Sequence, residues 1–439
     1  MSSVIIKKSK LKSTEIPIDG YKHSMVSLVA LAVGYNANYE FKNIPNIEDT
    51  RIFIKILTYM GKNIKYEDNN MKIYKSNINT YVIPNEYSKK IHGAVYLIPA
   101  ILGVKHKVTI CNSGGCKIGD EKTSSTRPIE HMITVMEKFG AKFEFDENGE
   151  RIGTINNYQS ADINIMDFSI KENELTGPCI SGATKTALIC SLNVTKGTTY
   201  IRNPYMKPDV TELLEVMRKI GFLIEFENSC LIIKPPIKKE VNIIRHSLIS
   251  DITEIITYIS LAIYCEIELK LLNITVDRVK RALKPELMYL KKMDINLEWL
   301  FDEIKIPVKK EVISTDIDVY STSIYSDSQP FFALMLLKGN NKSKIREFVW
   351  KNRFNYALEM NKLGVNLNVK ENELIINPGI PYKGGGIIAR DLRAAAVLII
   401  FALNTKENIE VFGIEHLKRG YVDFFEKLKK LKANFKLNN

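Results

Sequence analysis

One pattern recurs six times along the chain, and it constrains the fold more than any other feature of the sequence. Each copy contains an amphipathic helix, an apolar landmark residue, usually a glycine, and a short strand in which apolar and polar residues alternate. The landmarks are Met60, Phe139, Ile220, Met293, Leu363 and Leu431. Consecutive landmarks lie 68–81 residues apart, and such regular self-similarity is typical of repeated supersecondary units. The sequence therefore predicts a mixed α/β protein assembled from six similar units.

The residue after each landmark is expected to end its helix in the left-handed region of backbone conformation, which glycine tolerates best. Four units have a glycine there: Gly61, Gly140, Gly221 and Gly364. The fourth unit has Asp294, a tolerable substitute, and the sixth has Lys432, a poor one. Residues 222–235, which follow the third glycine, alternate in polarity and are predicted to form two strands around a turn at residues 227–229.

Six units in 439 residues suggest two domains of three units each, with the boundary near residues 238–251. We expect a first lobe over residues 20–249 and a second lobe made of residues 1–19 and 250–439. Because ligands commonly bind between domains, the division also predicts a ligand cleft between the lobes.

The composition, 45% hydrophobic and 26% charged, is typical of a soluble globular protein. The longest apolar runs are shorter than the roughly 18 residues that indicate a membrane span, and no signal peptide is visible, so a cytoplasmic protein is predicted. The net charge of +12 favours anionic ligands. The basic residues form no dense tract interleaved with aromatic residues, so nucleic acid is disfavoured and small phosphorylated ligands are preferred.

The stretch "CNSGGCKIGDEKTSSTRP" contains Cys111 and Cys116 and leaves three readings open: a metal clip, a disulfide or a reactive thiol. The spacing is C-x4-C, and no further cysteine or histidine pair lies nearby to complete a zinc shell, so a metal is disfavoured. Reduced thiols are expected in a cytoplasmic chain. Neither a metal nor a cofactor is predicted.

Charged residues before apolar helices are the first candidates for chemistry. Lys22 precedes the helix "MVSLVALAV", where the positive end of the helix dipole disfavours a cation unless an anion binds there. A solvated surface lysine is the alternative. Asp327 precedes another apolar helix, and helix capping alone would explain it.

Three arginines lie at or just before helical runs in the last part of the chain: Arg353, Arg393 and Arg419. With Lys22 and Arg127 they suggest convergence on a polyanion, because the planar guanidinium suits phosphate and carboxylate.

Two stretches rich in small residues are weaker indications. Ser181–Thr184 reads as a turn entering a helix, and its backbone N–H groups could hold phosphate. The triple glycine at 384–386 lacks the spacing and the lysine of a P-loop and is expected to be a flexible turn.

Taken in order, "GGCKIG", "SGAT", "SDSQ", "KNRF", "DLRA" and "LKRGY" resemble the UDP-N-acetylglucosamine enolpyruvyl transferases over almost the whole chain. Those enzymes transfer the enolpyruvyl group of phosphoenolpyruvate to a sugar hydroxyl in the first committed step of peptidoglycan synthesis. The resemblance implies two inside-out α/β barrel lobes, each with three βαβαββ-like repeats. It also implies phosphoenolpyruvate and a UDP-sugar as ligands, no cofactor, no nucleic acid or membrane partner, and a monomer or weak homo-oligomer.

The resemblance also implies site residues. Lys22, Arg127 and Arg419 would bind the phosphate of phosphoenolpyruvate, and Arg353 and Arg393 would lie around its carboxylate. The implied nucleotide and substrate contacts further include His23, His92, Pro128, Ser181, Gly182 and Asp391.

For catalysis, the resemblance implies that Cys116 protonates the methylene carbon and can form a covalent adduct with fosfomycin-like epoxides. Asp327 would accept the proton of the attacking hydroxyl, and Lys22 and Arg393 complete the implied catalytic set. An acid at one carbon and a base on the incoming alcohol are what addition to an enol ether requires.

Several positions depart from the family pattern on the acceptor side. His23 replaces an asparagine, His92 an arginine, Pro178 a lysine and Lys207 a glutamate, and the loop between the motif cysteine and arginine is longer. Other acceptors therefore stay open: another nucleotide, as in antibiotic-type paralogues, or 3-phosphoshikimate, although the cysteine in "GGC" counts against the latter. A non-catalytic ligand-binding paralogue is a further alternative.

Overall fold

The computed structural model describes residues 2–110, 114, 129–237 and 242–438. Its helices are α1 (Lys22–Gly34), α2 (Glu48–Tyr59), α3 (Asn85–Ser88), α4 (Leu97–Lys105), α5 (Glu130–Lys138), α6 (Cys179–Ser191), α7 (Pro208–Ile220), α8 (Ile252–Tyr264), α9 (Val276–Ala282), α10 (Lys284–Lys292), α11 (Gln329–Leu336), α12 (Asn355–Asn361), α13 (Leu392–Leu403) and α14 (Phe424–Lys430). Short 3-10 helices span Gly93–Tyr96, Ile165–Phe168 and Ile414–Arg419.

The strands are β1 (Ser3–Ile6), β2 (Thr14–Pro17), β3 (Asn38–Lys42), β4 (Ile64–Glu67), β5 (Asn70–Ile73), β6 (Lys107–Thr109), β7 (Lys142–Phe145), β8 (Arg151–Thr154), β9 (Asp162–Asn164), β10 (Thr199–Arg202), β11 (Leu223–Glu227), β12 (Cys230–Lys234), β13 (Ile243–Ser247), β14 (Leu269–Leu272), β15 (Glu298–Trp299), β16 (Ile304–Ile306), β17 (Ile317–Val319), β18 (Ser343–Glu347), β19 (Leu367–Val369), β20 (Glu373–Ile376), β21 (Gly385–Ile388), β22 (Ile409–Phe412) and β23 (Phe435–Asn438). The predicted mixed α/β class is confirmed.

The chain divides into two units, which we name by their continuity. The continuous unit comprises the described residues between 20 and 248, and the split unit comprises residues 2–19 and 249–438. The described strands form six sheets, three in each unit. The sheet orders are β13-β3-β5-β4, β11-β12-β10-β9 and β6-β8-β7 in the continuous unit, and β21-β22-β1-β23, β15-β16-β14-β2 and β17-β18-β20-β19 in the split unit.

The five four-stranded sheets share one arrangement: an antiparallel pair, such as β4 and β5, lies beside a strand that is parallel to the fourth. The same holds for the sheets centred on β10, β14, β18 and β22. In the three-stranded sheet, a single parallel bridge from Val82 to Thr109 takes the place of the fourth strand. The sequence repeat thus corresponds to one sheet topology that occurs six times.

All six predicted helix-ending positions have positive φ angles. The four glycines have φ of 90–112°, Asp294 has 59° and Lys432 has 61°. The left-handed turn is therefore retained even where the residue is unfavourable. The predicted two-strand reading of residues 222–235 is also confirmed, with Asn228 and Ser229 at φ of 48° and 57° between β11 and β12. Two successive positive φ angles are typical of a tight hairpin turn.

The triple glycine is not a turn. Gly385 and Gly386 begin β21 and pair in parallel with Ile409 and Glu410 of β22. The prediction was wrong because β22, a strand about 20 residues further along the chain, pairs with these glycines. The glycine run itself gives no local sign of that pairing.

Each unit has a core of three helices that are apolar on nearly all sides. In the continuous unit α1, α4 and α6 pack together, and in the split unit α8, α11 and α13 do so. A helix that is apolar all round is stable only when buried, so these helices lie inside and the amphipathic ones cover them. The described part of the chain contains no helix with the length and hydropathy needed to cross a membrane.

Candidate active-site residues in the two units

The carboxylate of Asp327 lies between two buried arginines in the split unit. Nη2 of Arg353 donates to Oδ1 of Asp327 at 2.8 Å, and Nη2 of Arg393 donates to Oδ2 at 3.1 Å. The arginine side chains are 2% and 6% exposed and the aspartate is 30% exposed. The capping explanation for Asp327 is wrong, because α11 begins at Gln329 with Ser328 at the cap position and no side-chain capping bond.

Asp391 is the residue that caps a helix in this region. Its Oδ1 accepts the backbone N–H groups of Arg393 and Ala394 at 2.8 and 2.9 Å, at the start of α13. Its Oδ2 lies 3.4 Å from Nη1 of Arg353. Asp391 therefore fixes the helix that carries one arginine and contacts the guanidinium of the other.

Tyr421 completes the environment of Arg393. Nη1 of Arg393 donates to the Tyr421 hydroxyl at 3.2 Å, and that hydroxyl lies 2.8 Å from Oγ1 of Thr257 in α8. Arg419 ends a 3-10 helix two residues earlier and is half-buried. The split unit thus brings Asp327, Arg353, Asp391 and Arg393 into one cluster, which we call the arginine cluster.

Both arginines keep their charge although they are buried. Burial favours loss of the proton, but Asp391 and Asp327 outweigh it and raise the pKa of Arg353. For Arg393, burial is outweighed by Asp327 and Tyr421, and its pKa is raised as well. The buried Nε–H groups of Arg353 and Arg393 have no hydrogen-bond partner among the described residues. Unused buried donors of this kind require an explanation, and ligand binding is one.

Two glutamates that the sequence reasoning missed hold the loop around Asp327. Oε1 of Glu286 accepts the backbone N–H of Tyr325 at 2.7 Å and lies 3.2 Å from Oγ of Ser328. Oε2 of Glu347 accepts the hydroxyl of Ser326 at 2.9 Å. The side chains of Glu286 and Glu347 are buried.

Glu347 also accepts the backbone N–H groups of Val349 and Trp350 at 2.8 and 3.2 Å, in the segment that leads to Arg353. One carboxylate therefore joins the segment of the candidate base to that of an arginine. Burial raises the pKa of Glu347 to about 7. Nothing local in the sequence distinguishes these glutamates, because their partners in the Asp327 loop are 21–42 residues away.

In the continuous unit, Lys22 begins α1, and its Nζ lies 2.6 Å from Oδ2 of Asp49 in the first turn of α2. The lysine is largely buried and the aspartate fully so, and the solvated-surface alternative for Lys22 is therefore wrong. His23 follows in the same turn, with its ring centroid 5.3 Å from that of Tyr21. His92 immediately precedes the 3-10 helix that leads into α4.

The predicted turn at Ser181–Thr184 is already helical. Helix α6 begins at Cys179, with Pro178 at its cap position, because the small residues are compatible with a helix that packs tightly against its neighbours. A Cβ atom at Gly182 would lie 2.1 Å from Nε2 of His131, so the imidazole packs directly on this glycine. Burial lowers the pKa of His131 to about 4, and the ring is neutral at pH 7.

One turn further along α6, Lys185 forms a buried salt bridge with Asp209 of α7, with 2.7 Å between Nζ and Oδ2. Each side chain is 5% exposed, and Nζ of Lys185 lies 4.3 Å from the ring centroid of Tyr96. Burial opposes the charge of Asp209, but Lys185 and His23 overcome it and lower its pKa. The pKa of Lys185 is raised against the effect of burial, chiefly by Asp209.

Sequence reasoning missed this pair, although a lysine in the apolar stretch "SGATKTALIC" was a usable signal. Lys207 occupies the cap position of α7, two residues before Asp209, and is buried. The residues that depart from the family pattern here, Pro178 and Lys207, therefore lie at the starts of the two helices that the salt bridge joins.

Three predicted site residues, Cys116, Arg127 and Pro128, lie outside the described residues, as does Cys111 in the same stretch. The four remaining cysteines are free thiols. Within the described ranges, no three His, Cys, Asp or Glu side chains are grouped as metal ligands would be.

Comparison with known proteins gives a consistent result along the whole chain. The family model of EPSP synthase (3-phosphoshikimate 1-carboxyvinyltransferase) matches residues 6–428. The UDP-N-acetylglucosamine 1-carboxyvinyltransferase of Wolbachia from Brugia malayi is 28% identical, with 97% of this chain and 96% of the relative covered. That of Buchnera aphidicola from Schizaphis graminum is also 28% identical, over 99% and 100%.

Among solved structures, the enolpyruvyl transferase NikO from Streptomyces tendae superposes with a TM-score of 0.92 at 30% identity, covering 100% of this chain and 99% of NikO. The EPSP synthase of Acinetobacter baumannii superposes with a TM-score of 0.75 at 16% identity, with complete coverage of both chains. The second likeness concerns the fold alone.

Proposed function

Because this chain belongs to the EPSP synthase family and is an enolpyruvyl transferase, we propose that it transfers the enolpyruvyl group of phosphoenolpyruvate to a hydroxyl of UDP-N-acetylglucosamine. Phosphate is released, and the reaction is the first committed step of peptidoglycan synthesis. The observation that carries the proposal is the arginine cluster, in which two charged, buried guanidinium groups flank the candidate base Asp327.

The cluster supports binding of a substrate carboxylate. Arg353 and Arg393 are kept charged by aspartates, and their Nε–H donors have no described partner. A carboxylate matches the planar donor set of arginine. A ligand carboxylate can therefore share the guanidinium groups that Asp327 and Asp391 contact in the present arrangement.

Asp327 then serves as the general base. A carboxylate between two guanidinium groups attracts a proton weakly, and redistribution of the arginine charge toward the substrate strengthens that attraction. The acceptor hydroxyl forms its C–O bond to C2 of phosphoenolpyruvate as Asp327 takes the hydroxyl proton, and an acid protonates C3. The C–O bond to phosphate then breaks and C3 loses a proton, which restores the enol ether and releases phosphate.

By family resemblance we assign the acid to Cys116 and phosphate binding to Lys22, Arg127 and Arg419. Preset positive charge stabilises the departing phosphate anion without reorganisation of solvent. Peptide mapping after treatment with fosfomycin tests the cysteine. An adduct on Cys116 supports its assignment, and an adduct only on Cys111, or on neither, contradicts it.

The acceptor assignment is supported by relatives named as UDP-N-acetylglucosamine 1-carboxyvinyltransferases, which align over nearly their full length. A second candidate acceptor, another nucleotide, is favoured by the α6–α7 region. There Pro178 and Lys207 replace family residues, and the Lys185–Asp209 salt bridge places a lysine in the helix that carries Gly182.

Phosphate release from phosphoenolpyruvate tests both candidates in one assay. The acceptors are UDP-N-acetylglucosamine, UMP, other nucleoside phosphates and 3-phosphoshikimate, each with an acceptor-free control. Release that depends on UDP-N-acetylglucosamine supports the proposal, and release with only another nucleotide supports the second candidate. Release with none of them, from folded protein, contradicts the enolpyruvyl transfer itself.

A further inference from the structure

The first repeat has a buried lysine where the other repeats have apolar residues. The position follows the left-handed residue that ends each amphipathic helix, and there Ala141, Phe222, Ile295 and Val365 are buried. The sixth repeat has Ala433. Lys62, at the same position of the first repeat, is 4% exposed. Because an apolar residue fits this position in every other repeat, packing alone does not account for a lysine.

Only uncharged groups accept hydrogen bonds from Lys62 among the described residues. Its Nζ donates to the backbone carbonyl of Ser76 at 2.7 Å and to Oδ1 of Asn36 at 3.2 Å. An ammonium group has three donors, so one remains. Asn36 is fixed in turn, because its Oδ1 also accepts the N–H of Ser76 at 3.0 Å and its Nδ2 donates to Asn77 at 2.8 Å.

These residues line a cleft of about 280 Å³ that also contains Lys105. Its polar lining consists of two lysines, two asparagine amides and a serine, and none of its lining residues is acidic. A buried charge is costly unless it is paired, and the cost is visible in Lys62, because burial lowers its pKa to about 8. At pH 7 the group is still protonated, and the cleft holds two positive charges.

The ends of two helices contribute some negative potential. Val33 lies near the end of α1 and Lys105 is the last residue of α4, where exposed carbonyl groups are equivalent to roughly half a negative charge per helix. This potential favours the lysines but does not supply the carboxylate partners that they lack. The cleft is also separate from Lys22, which starts α1 about 18 Å away along the helix axis.

We propose that this cleft binds a small oxyanion, a metabolite bearing phosphate or carboxylate groups, between the ammonium groups of Lys62 and Lys105. The amides of Asn36 and Asn77 line the same cleft and provide further hydrogen-bonding groups. The site is independent of the enolpyruvyl transfer proposed above.

A purely structural role for Lys62 makes a different prediction. As a brace between Asn36 and Ser76, it would need neither Lys105 nor an anion, and no ligand would protect it from chemical modification. The two roles are therefore separated by a readout at Lys62 itself.

Labelling with pyridoxal 5′-phosphate at pH 8 provides that readout. Its aldehyde condenses with an unprotonated amine, losing water, and borohydride then reduces the imine to a stable secondary amine that peptide mapping can locate. We expect Lys62 to be labelled at least fivefold faster than Lys65, an exposed lysine in the adjacent strand. Inorganic phosphate should reduce labelling of Lys62 at least fivefold, with labelling of Lys65 unchanged and ionic strength held constant with chloride.

Two further arms identify the anion and the partner lysine. Succinate in place of phosphate distinguishes a carboxylate-bearing ligand from a phosphate-bearing one, and protection by either supports the site. In the Lys105→Met variant, protection of Lys62 should require at least fivefold more anion. The proposal is overturned if neither anion protects Lys62, if Lys62 is labelled no faster than Lys65, or if Lys105→Met leaves protection unchanged. Because the measurement is made at Lys62, anion binding at the catalytic site does not affect it.

Discussion

The arginine cluster of the split unit and the Lys185–Asp209 pair of the continuous unit solve the same electrostatic problem in different ways. Both keep cations charged in a buried setting by placing aspartates against them. In the pair, each side chain is almost fully enclosed and one cation meets one anion. In the cluster, Arg353 contacts two aspartates, and Asp327 is shared by two arginines and partly exposed.

The difference separates a structural arrangement from one that a ligand can change. If either member of the closed pair is removed, the other is left as an unpaired buried charge, which is costly. The pair therefore holds α6 and α7 together. The cluster has buried donors with no described partner and a carboxylate that reaches solvent, so an incoming anion can redistribute its contacts. The comparison predicts that substitutions in the cluster affect turnover and that substitutions in the pair affect stability.

The largest effect is expected at Asp327. Asp327→Asn keeps the size of the side chain but removes its capacity to accept a proton, and general bases contribute about 10²–10⁴-fold to rate. We expect kcat for phosphate release to fall about a thousandfold, or about 4 kcal/mol in barrier height. The loss of stability should be smaller than for a fully buried pair, because Asp327 is partly exposed and Arg353 keeps Asp391 as a partner. Asp318→Asn, in a solvent-facing ion pair with Arg346, is the matched control and should leave kcat unchanged. A decrease in kcat smaller than tenfold for Asp327→Asn would contradict the assignment of Asp327 as the general base.

Breaking the buried pair should instead destabilise the fold. Lys185→Met leaves Asp209 charged without its partner, and removal of one member of a buried pair costs about 3–5 kcal/mol. Urea unfolding should show this loss, and the double variant Lys185→Met/Asp209→Leu should recover most of it.

The surface pair of Arg202 and Asp162 is a suitable control for this experiment. It has the same 2.7 Å separation as the buried pair but is about half exposed, so Arg202→Met should change stability little. Equal losses at the two pairs would show that burial does not distinguish them.

A smaller effect is expected at Glu347, which links the two segments of the cluster. Glu347→Leu removes the acceptors for Ser326, Val349 and Trp350, and we expect kcat to fall about thirtyfold, or about 2 kcal/mol. Glu347→Gln can still accept the N–H groups of Val349 and Trp350 through its amide oxygen and can donate its NH2 group to the Ser326 hydroxyl, so kcat should stay within about threefold of wild type. Equal loss in both variants would show that the charge, rather than the positioning of the loop, is required.

Glu347→Gln should also change how the free energy of unfolding depends on pH. Burial raises the pKa of Glu347 to about 7, so the folded state holds this proton more tightly than the unfolded state does. Its contribution to stability is full below about pH 4 and is lost as the pH rises toward 7. Glu347→Gln should reduce this slope in the stability profile, while Glu254, whose pKa burial also raises to about 7, maintains part of it.

The smallest effect is expected at Lys62, a buried lysine whose hydrogen-bond acceptors among the described residues include no carboxylate. Lys62→Met should raise the free energy of unfolding by about 1 kcal/mol at pH 7, after allowance for screening. The folded-state pKa is lowered to about 8, so wild type regains stability as the pH rises from 8 toward 10.5, and the advantage of the variant should disappear there. Lys65→Met is the control. An advantage that persists at pH 10.5 would show that improved packing, not removal of charge, is the cause.

Much of the fold could be predicted from the sequence because it depends on residues that are close together in the chain. The six left-handed turns and the hairpin at Asn228-Ser229 follow from glycine tolerance and alternation within a few residues. The triple glycine and the Ser181–Thr184 segment were read wrongly for the complementary reason. A partner strand made the first a strand, and packing under His131 made the second part of a helix.

The sequence by itself determined the repeat and the mixed α/β class, and it supplied Asp327, Arg353 and Arg393 as candidates for the chemistry. Only the tertiary structure decided what each of them touches. The hydrogen bonds that Glu286 and Glu347 accept from the Asp327 loop, and the Lys185–Asp209 pair, join residues about 20–40 positions apart. Charge pairing depends on distances of a few ångströms and on exclusion of water, and neither is set until the buried helices pack.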